Sequence, residues 1–363
     1  MGDVKGQLMD IGIPVERKQG EGRVALTPNA VAEIISRGAR VHVETGAGQA
    51  SGFTDQQYSQ TGATIHSDPE KLYKSATLIV KVKEPIKEDL AYIKSHHTLF
   101  CYLHLAANPK LIAAFKKIGN SALAFELVEV EGSYPLLAPM SDIAGKVAIQ
   151  LGMHYLMTAQ GGAGILLEGG YGAERANVVV LGGGIAGISA AKRAAAIGAN
   201  VIVFDIKAEV LKRANDIGCN VTGLYSQTQS IEVAVKAADL VIGAVLLPGK
   251  QPPIILPISM LRQMKPGAVV VDIAIDQGGC VEGIKTTSYD APCYQEHGVQ
   301  MLAVANLPGA VPKTAAQCLS GAILPYVLAL VSDSCNIEKI AMGESMNGLK
   351  NAICIKNGQL VGQ

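Results

Sequence analysis

The chain has 363 residues, more than a single hydrophobic core usually holds, so two domains of about 150–200 residues are expected. Its 31 basic and 31 acidic side chains cancel, which argues against strong attraction to nucleic acid or an anionic membrane. With 49% hydrophobic, 17% charged and only 4% aromatic residues, the composition excludes disorder and suits buried parallel strands covered by helices.

Met1 to Asp10 has no apolar stretch of signal-peptide type. Strands are then predicted at Ile11–Glu16, Val41–Glu44, Thr77–Val82, Leu99–Tyr102 and Ala122–Glu126, with helices at Pro28–Arg37 and Pro109–Lys117. Ser141–Gln160 reads as a long helix, with Ser141 as N-cap and Gly161-Gly162 as its stop. A Gly-rich loop, Gly161 to Gly172, leads to a second alternation. Its strands are predicted at Asn177–Leu181, Asn200–Phe204, Leu240–Val245, Ala268–Ile275 and Gln300–Val304. Thr314–Val331 reads as another long helix, and short polar pieces follow. Its most apolar part, Leu319–Val331, contains Pro325 and falls short of the roughly 20 residues a bilayer requires, so no membrane association is expected. The seven Cys are scattered without a CxxC, which predicts neither a disulfide framework nor a zinc cluster and fits a reducing cytoplasm. Two alternating blocks predict two Rossmann-like, doubly wound α/β domains with a cleft between them.

The second block opens with a dinucleotide fingerprint. Val178 to Leu181 precede Gly182-Gly183-Gly184-Ile185-Ala186-Gly187, and an Ala-rich helix follows. Gly182 permits the tight turn, Gly184 lets a pyrophosphate approach the backbone, and Gly187 lets helix and strand pack closely. The helix N-terminus offers unpaired N–H groups to the phosphates. The next strand ends at Asp205, placed to accept hydrogen bonds from ribose hydroxyls. A Gly-rich turn with a solvated Asp is the plainer alternative.

Four segments carry candidate chemistry. Arg23 precedes an apolar run and is either a two-pronged grip for a carboxylate or a surface Arg. Lys81 and Lys83 sit where a strand turns polar, on one face by alternation; they face either a ligand or solvent. His104 ends the run from Leu99 and is either a general acid/base or a structural His. Asp276 ends the run from Val271, before Gly278-Gly279, where Asp also serves as a plain turn residue. The six other His residues have no comparable setting.

These segments closely resemble the alanine dehydrogenases, which share ancestry with the NAD-binding part of proton-translocating transhydrogenase. The motifs carrying the resemblance include Arg23-Val24-Ala25-Leu26-Thr27-Pro28, Lys81-Val82-Lys83-Glu84-Pro85, Tyr102-Leu103-His104-Leu105-Ala106 and Pro139-Met140-Ser141. They continue through the Gly182–Gly187 fingerprint, Ile242 to Leu246, Asp272 to Gly279 and Val304 to Gly309. The resemblance implies a discontinuous substrate domain, residues 1–136 and 313–363, and an NAD-binding domain, residues 137–312. It implies that Arg23 and Lys83 bind the substrate carboxylate and that His104 and Asp276 carry the proton chemistry. It lines the NAD site with Ser141, Ile185, Ala186, Asp205, Ser226, Val245, Leu246, Ile273, Ala274, Ile275, Asp276, Val304, Ala305, Asn306 and Leu307. The implied reaction interconverts L-alanine with pyruvate and ammonium, in a cytoplasmic homohexamer.

The chain departs from the family at four positions. Val210 and Lys285 stand where many relatives carry Lys and Arg near the cofactor; Lys285 is still expected on the cofactor side. Ala329 and Asp333 occupy positions at which some relatives hold a metal, so none is expected. A saccharopine dehydrogenase-like oxidoreductase, the NAD-binding component of transhydrogenase and a non-catalytic NAD-binding protein are the alternatives. The joint presence of Arg23, Lys83, His104 and Asp276 argues against the last.

Overall fold

The computed structural model describes residues 9–245 and 251–361. The chain forms two compact units, Met1–Met140 with Val311–Gln363, and Ser141–Ala310. Each is an α/β unit built on one sheet.

Among the described residues the first unit has eight strands: β1 (Asp10–Ile13), β2 (Arg40–Glu44), β3 (Thr64–His66), β4 (Leu78–Val80), β5 (Thr98–Cys101), β6 (Ser121–Ala124) and two late strands that follow the second unit in sequence. The second unit contributes β7 (Asn177–Leu181), β8 (Asn200–Asp205), β9 (Val221–Tyr225), β10 (Leu240–Gly243), β11 (Val269–Asp272), β12 (Cys293–Glu296) and β13 (Val299–Leu302). The late strands of the first unit are β14 (Ile353–Lys356) and β15 (Gln359–Leu360).

The first sheet runs β15-β14-β6-β5-β4-β1-β2-β3, parallel from β6 to β3, with β14 antiparallel to β6. The second runs β12-β13-β11-β10-β7-β8-β9, parallel except for β12. Both are doubly wound. Their strand order reverses between β1 and β4 in one and between β7 and β10 in the other. Parallel strands bury both faces. Ile79 and Leu99 in the first sheet, and Val179, Val241 and Val270 in the second, are accordingly at most 1% exposed. Burying each such side chain contributes about 1.5–3 kcal/mol.

Several elements differ from their sequence readings for local reasons. The long helix spans Ala138–Tyr155, and a separate 3-10 turn covers Thr158–Gln160. Ser141 is therefore not an N-cap but lies one turn inside; Pro139 occupies the first turn, where its missing N–H has no helical partner to lose. The run from Ala268 breaks at Asp272, whose carboxylate accepts the N–H groups of Ala274, Cys280 and Val281 and starts a 3-10 helix, Ile273–Gln277. Strands β3, β9 and β12 were not anticipated; each lies at or beside a sheet edge, where the apolar pattern is thin. The tail read as polar pieces supplies β14 and β15.

The late helix is Pro312–Ser332, longer than the apolar run within it. By length and composition alone it would be long enough to cross a membrane. In this fold it is a core helix of the first unit. Ala315, Leu319, Ile323, Val327 and Leu330 are buried along it, and Ser320 accepts the Thr27 N–H at 3.0 Å.

Candidate active site

In doubly wound sheets, ligands bind beyond the carboxyl ends of strands at the point where strand order reverses. In the first unit that point lies between β1 and β4. The segments leaving β1, β4 and β5 are rich in charge. Glu16, three residues beyond β1, accepts the Val82 N–H at 2.6 Å and the Lys83 N–H at 3.3 Å. Lys81 is buried and Lys83 is half-buried, so the two differ in their access to solvent.

Lys81 Nζ lies 3.5 Å from Glu16 and 3.4 Å from Asp89, and Arg17 bridges Asp89 to Glu44. Burial pulls the Lys81 ammonium down, but Glu16 and Asp89 more than reverse this and hold its charge. Burial pushes the Glu16 carboxyl up against the pull of Lys81. The network is a buried brace for the strand ends.

Arg23 is 2% exposed, which rules out a surface Arg. Glu21 grips its Nε at 2.6 Å and also its Nη2, while Nη1 points to Met140 Sδ at 3.0 Å. Burial pushes the Glu21 carboxyl up, and Arg23 and Lys83 reverse that, leaving it below the usual range. Tyr102 is buried, its hydroxyl pushed up by burial against the pull of the Arg23 charge, and it donates to the Leu136 carbonyl at 2.5 Å. Its ring stacks on His104, with centroids 6.0 Å apart and planes 13° apart. Charge couples Lys83 to Glu21 and Arg23 to Tyr102, ion pairing joins Glu21 to Arg23, and ring stacking joins Tyr102 to His104.

His104 is exposed and left-handed, with φ 47° and ψ 42°. A non-Gly residue held there costs about 1–3 kcal/mol and persists only when its surroundings enforce it. The enforcing group is Glu126, in the 3-10 turn Phe125–Leu127 after β6. Its carboxylate accepts the His104 N–H at 2.6 Å and the Leu103 N–H at 3.1 Å.

In the second unit the glycine loop leaves β7 and the helix Ile185–Ile197 begins directly after it. Gly182 has φ +95°, and a Cβ there would meet the Ala244 carbonyl at 2.9 Å. A Cβ on Gly187 would lie 1.9 Å from the Gly182 carbonyl, so only Gly allows the helix this close. A Cβ on Gly184 would meet nothing within 4 Å, which is the open approach a pyrophosphate needs. Ile185, at the helix start, is 48% exposed. Asp205 at the end of β8 accepts the N–H groups of Gly183 and Ile206 at 2.8 Å and of Lys207 at 3.0 Å. Ser226 donates its N–H to the Asp205 carbonyl. The residues present fit a dinucleotide.

Ser141 and Ala186 are brought together indirectly. Asp142 accepts from Ser189 at 2.7 Å, and a Cβ on Gly145 would lie 2.2 Å from the Ala186 carbonyl. Val245, Ile273, Ala274 and Ile275 follow the carboxyl ends of β10 and β11, and Val304, Ala305, Asn306 and Leu307 follow β13. Asp276 is exposed, and its Oδ2 accepts the Asn306 N–H at 3.4 Å, joining those last two segments. Lys285 lies over the Tyr294 ring at 5.3 Å and donates its N–H to the Tyr294 hydroxyl. Leu246 lies outside the described residues.

The profile of the Alanine dehydrogenase/PNT N-terminal domain matches residues 12–144, and that of the C-terminal domain matches residues 148–363. The chain belongs to the alanine dehydrogenase/PNT family. The alanine dehydrogenase of Bacillus subtilis (strain 168) is 46% identical over 326 residues, 89% of this chain and 86% of its own. A solved L-alanine dehydrogenase superimposes with a TM-score of 0.92 at 42% identity, over 97% of each chain. A transhydrogenase from Sinorhizobium meliloti gives a TM-score of 0.83 at 23% identity over 97% of this chain and 98% of its own, a likeness of fold alone.

Within the alanine dehydrogenase/PNT chain, Glu16, Glu21, Glu126 and Gly145 were missed by sequence reasoning. Glu16 and Glu126 sit just beyond strand ends and Glu21 in the loop after β1, where an acid also reads as a solvated loop residue. Glu21 alone left a usable sign, two residues from Arg23 in an apolar setting.

Proposed function

We propose that this chain is an NAD-dependent L-alanine dehydrogenase that interconverts L-alanine with pyruvate and ammonia. The observation that carries the reading is the group Lys83–Glu21–Arg23–Tyr102–His104, at the switch point of the first sheet, in a chain of this family. Residues 1–136 and 313–363 are the substrate domain, and residues 137–312 the NAD domain.

Glu21 holds one edge of the Arg23 guanidinium and so fixes the direction of the rest of the group. With Lys83, Arg23 grips the substrate carboxylate, and that positioning makes the following steps effectively intramolecular. Gly182, Gly184, Gly187 and Asp205 would hold NAD, which when bound would supply the hydride acceptor for the alanine Cα. His104 takes and returns protons as water adds to the resulting iminium and the carbinolamine collapses to pyruvate and ammonia. Asp276 orients the amine or water and offsets positive charge on nitrogen. The enzyme works in the cytoplasm as a closed homohexamer; a monomeric mass by light scattering would contradict that assembly.

The test is NADH oxidation with pyruvate plus ammonium, against glyoxylate and 2-oxoglutarate with the same amine donor. Pyruvate should give the highest kcat/KM. Absence of pyruvate-dependent oxidation, or a preference for 2-oxoglutarate, overturns the reading.

A further inference from the structure

We propose that Glu126 is the positioning residue for His104. The inference rests on the reading that His104 moves the protons, and it concerns how that side chain is aimed. β5 and β6 run side by side, with Cys101 opposite Ala124, so the chain leaves both strands at one level. Two residues on from Ala124 is Glu126; three on from Cys101 is His104.

Glu126 Oε1 accepts the N–H of His104 at 2.6 Å and that of Leu103 at 3.1 Å; its Oε2 lies 3.2 Å from the same Leu103 N–H. Successive N–H groups converging on an anion form a nest, and charge makes each such bond stronger than a neutral one. The nest turns the His104 backbone to φ 47°, away from the strand direction. A bulky residue rarely adopts that conformation unaided.

The clamp is itself braced. The Phe125 ring meets Phe100 edge-on at 4.5 Å and Tyr102 at 5.1 Å, so the turn bearing Glu126 sits against the strand it holds. Tyr102 is tied through its hydroxyl to Leu136 and supports the His104 ring from below. The backbone is held by Glu126 and the ring by Tyr102. Without Glu126 the His104 backbone can relax toward extended conformations, which carries the imidazole off its aim. Glu126 bonds the backbone that carries His104, and so acts through that residue.

The experiment is a double-mutant cycle on the full chain: Glu126→Ala, Glu126→Gln, His104→Ala and His104→Ala with Glu126→Ala. Each is assayed with pyruvate, ammonium and NADH, with NADH affinity measured by fluorescence titration. Glu126→Ala should lower kcat about a hundredfold, the scale of an ångström-size misplacement, with pyruvate KM and NADH affinity within a few-fold of the unmodified protein. Glu126→Gln keeps an acceptor where Oε1 stands and should recover most of kcat. In the His104→Ala background, Glu126→Ala should cost nothing further, because residues acting as a unit are not additive. If Glu126→Ala fails to fold, Glu126→Asp, one methylene shorter and drawn back from the His104 N–H, takes its place in the cycle and should show the same loss of kcat and the same loss of additivity. Three results overturn the proposal: kcat within twofold of the unmodified protein, an equal loss in both Glu126 variants, or the same fold-loss with and without His104. If the unmodified protein does not turn over pyruvate, the functional reading falls and this inference falls with it.

Discussion

At the scale of single residues, the proposed roles separate in kinetics. His104→Ala should lower kcat by about a hundred- to ten-thousandfold, the usual cost of a lost general acid/base, with NADH binding nearly intact. Arg23 should act on pyruvate instead. Charge-assisted contacts of its kind contribute about 1.5–3 kcal/mol, so its loss should raise pyruvate KM by roughly ten- to a hundredfold. Alanine is a poor probe at this position. It would strand the buried Glu21 carboxylate, and breaking a buried pair costs about 3–5 kcal/mol. Arg23→Lys keeps the charge and loses the two-edged grip, so it tests binding with less damage to the fold. A mutant whose pyruvate KM is unchanged and whose NADH binding alone suffers would remove the assignment.

Asp205 should set the preference for NAD over NADP. Its carboxylate lies at the end of β8, where a 2′-phosphate would bring like charge, and Lys207 is the near cation in sequence. Because Asp205 also accepts the Gly183 N–H, Asp205→Ala should both weaken NAD use and loosen the glycine loop. Steady-state kinetics with both cofactors decide it; comparable kcat/KM with NADP in the unmodified protein contradicts the role.

At the scale of elements, the crossing of Ala138–Tyr155 and Ile185–Ile197 depends on one missing methyl group. A Cβ at Gly145 would lie 2.2 Å from the Ala186 carbonyl and 2.9 Å from the Ala190 nitrogen, both backbone atoms that cannot rotate aside. Gly145→Ala should therefore push the phosphate-binding helix outward. Overpacking of this kind costs about 1–3 kcal/mol. The expected outcome is a lower Tm and weaker NADH binding in the same variant. Gly321 is the control: it lies in Pro312–Ser332, and a Cβ there meets nothing within 4 Å. Gly321→Ala should be neutral or stabilising, since Gly in a helix is disfavoured by about 0.5–1 kcal/mol relative to Ala. Equal melting curves for Gly145→Ala and the unmodified protein would show that the helices shift without cost.

At the scale of the whole molecule, acid stability should be limited early by one His that the sequence marks as ordinary. His97 is 1% exposed; its Nδ1 accepts the Lys94 N–H and its Nε2 faces the Tyr73 carbonyl, both at 2.8 Å. That pairing fits the neutral ring with the proton on Nε2. Burial lowers its pKa from 6.5 to about 4. Between those values the unfolded chain binds a proton that the folded chain does not. Stability is therefore fully present above about 6.5 and declines as pH falls toward 4. Thermal melts across that range should show the decline, and His97→Gln, with no proton to gain, should flatten it. A flat profile in the unmodified protein would mean that the ring titrates normally.

The sequence by itself determined whatever depends on local pattern or on residue type at a fixed spacing. The interior parallel strands were legible because buried strands are continuously apolar, and the glycine loop because its spacing between a strand and a helix is specific. Arg23, Lys83, His104 and Asp276 could be singled out as polar residues beside apolar runs. Their neighbours could not. Glu16 reaches 66 residues along the chain to Val82, and Glu126 reaches back 22 to His104. Only the tertiary structure decided that Lys81 is buried while Lys83 is half-buried, and that His104 stands in a left-handed turn. Each of these outcomes depends on hydrogen bonds and packing between residues on different elements, and such partners leave no periodic trace in either segment. A carboxylate that clamps a distant strand end has the same letter, and the same local surroundings, as one that merely faces water.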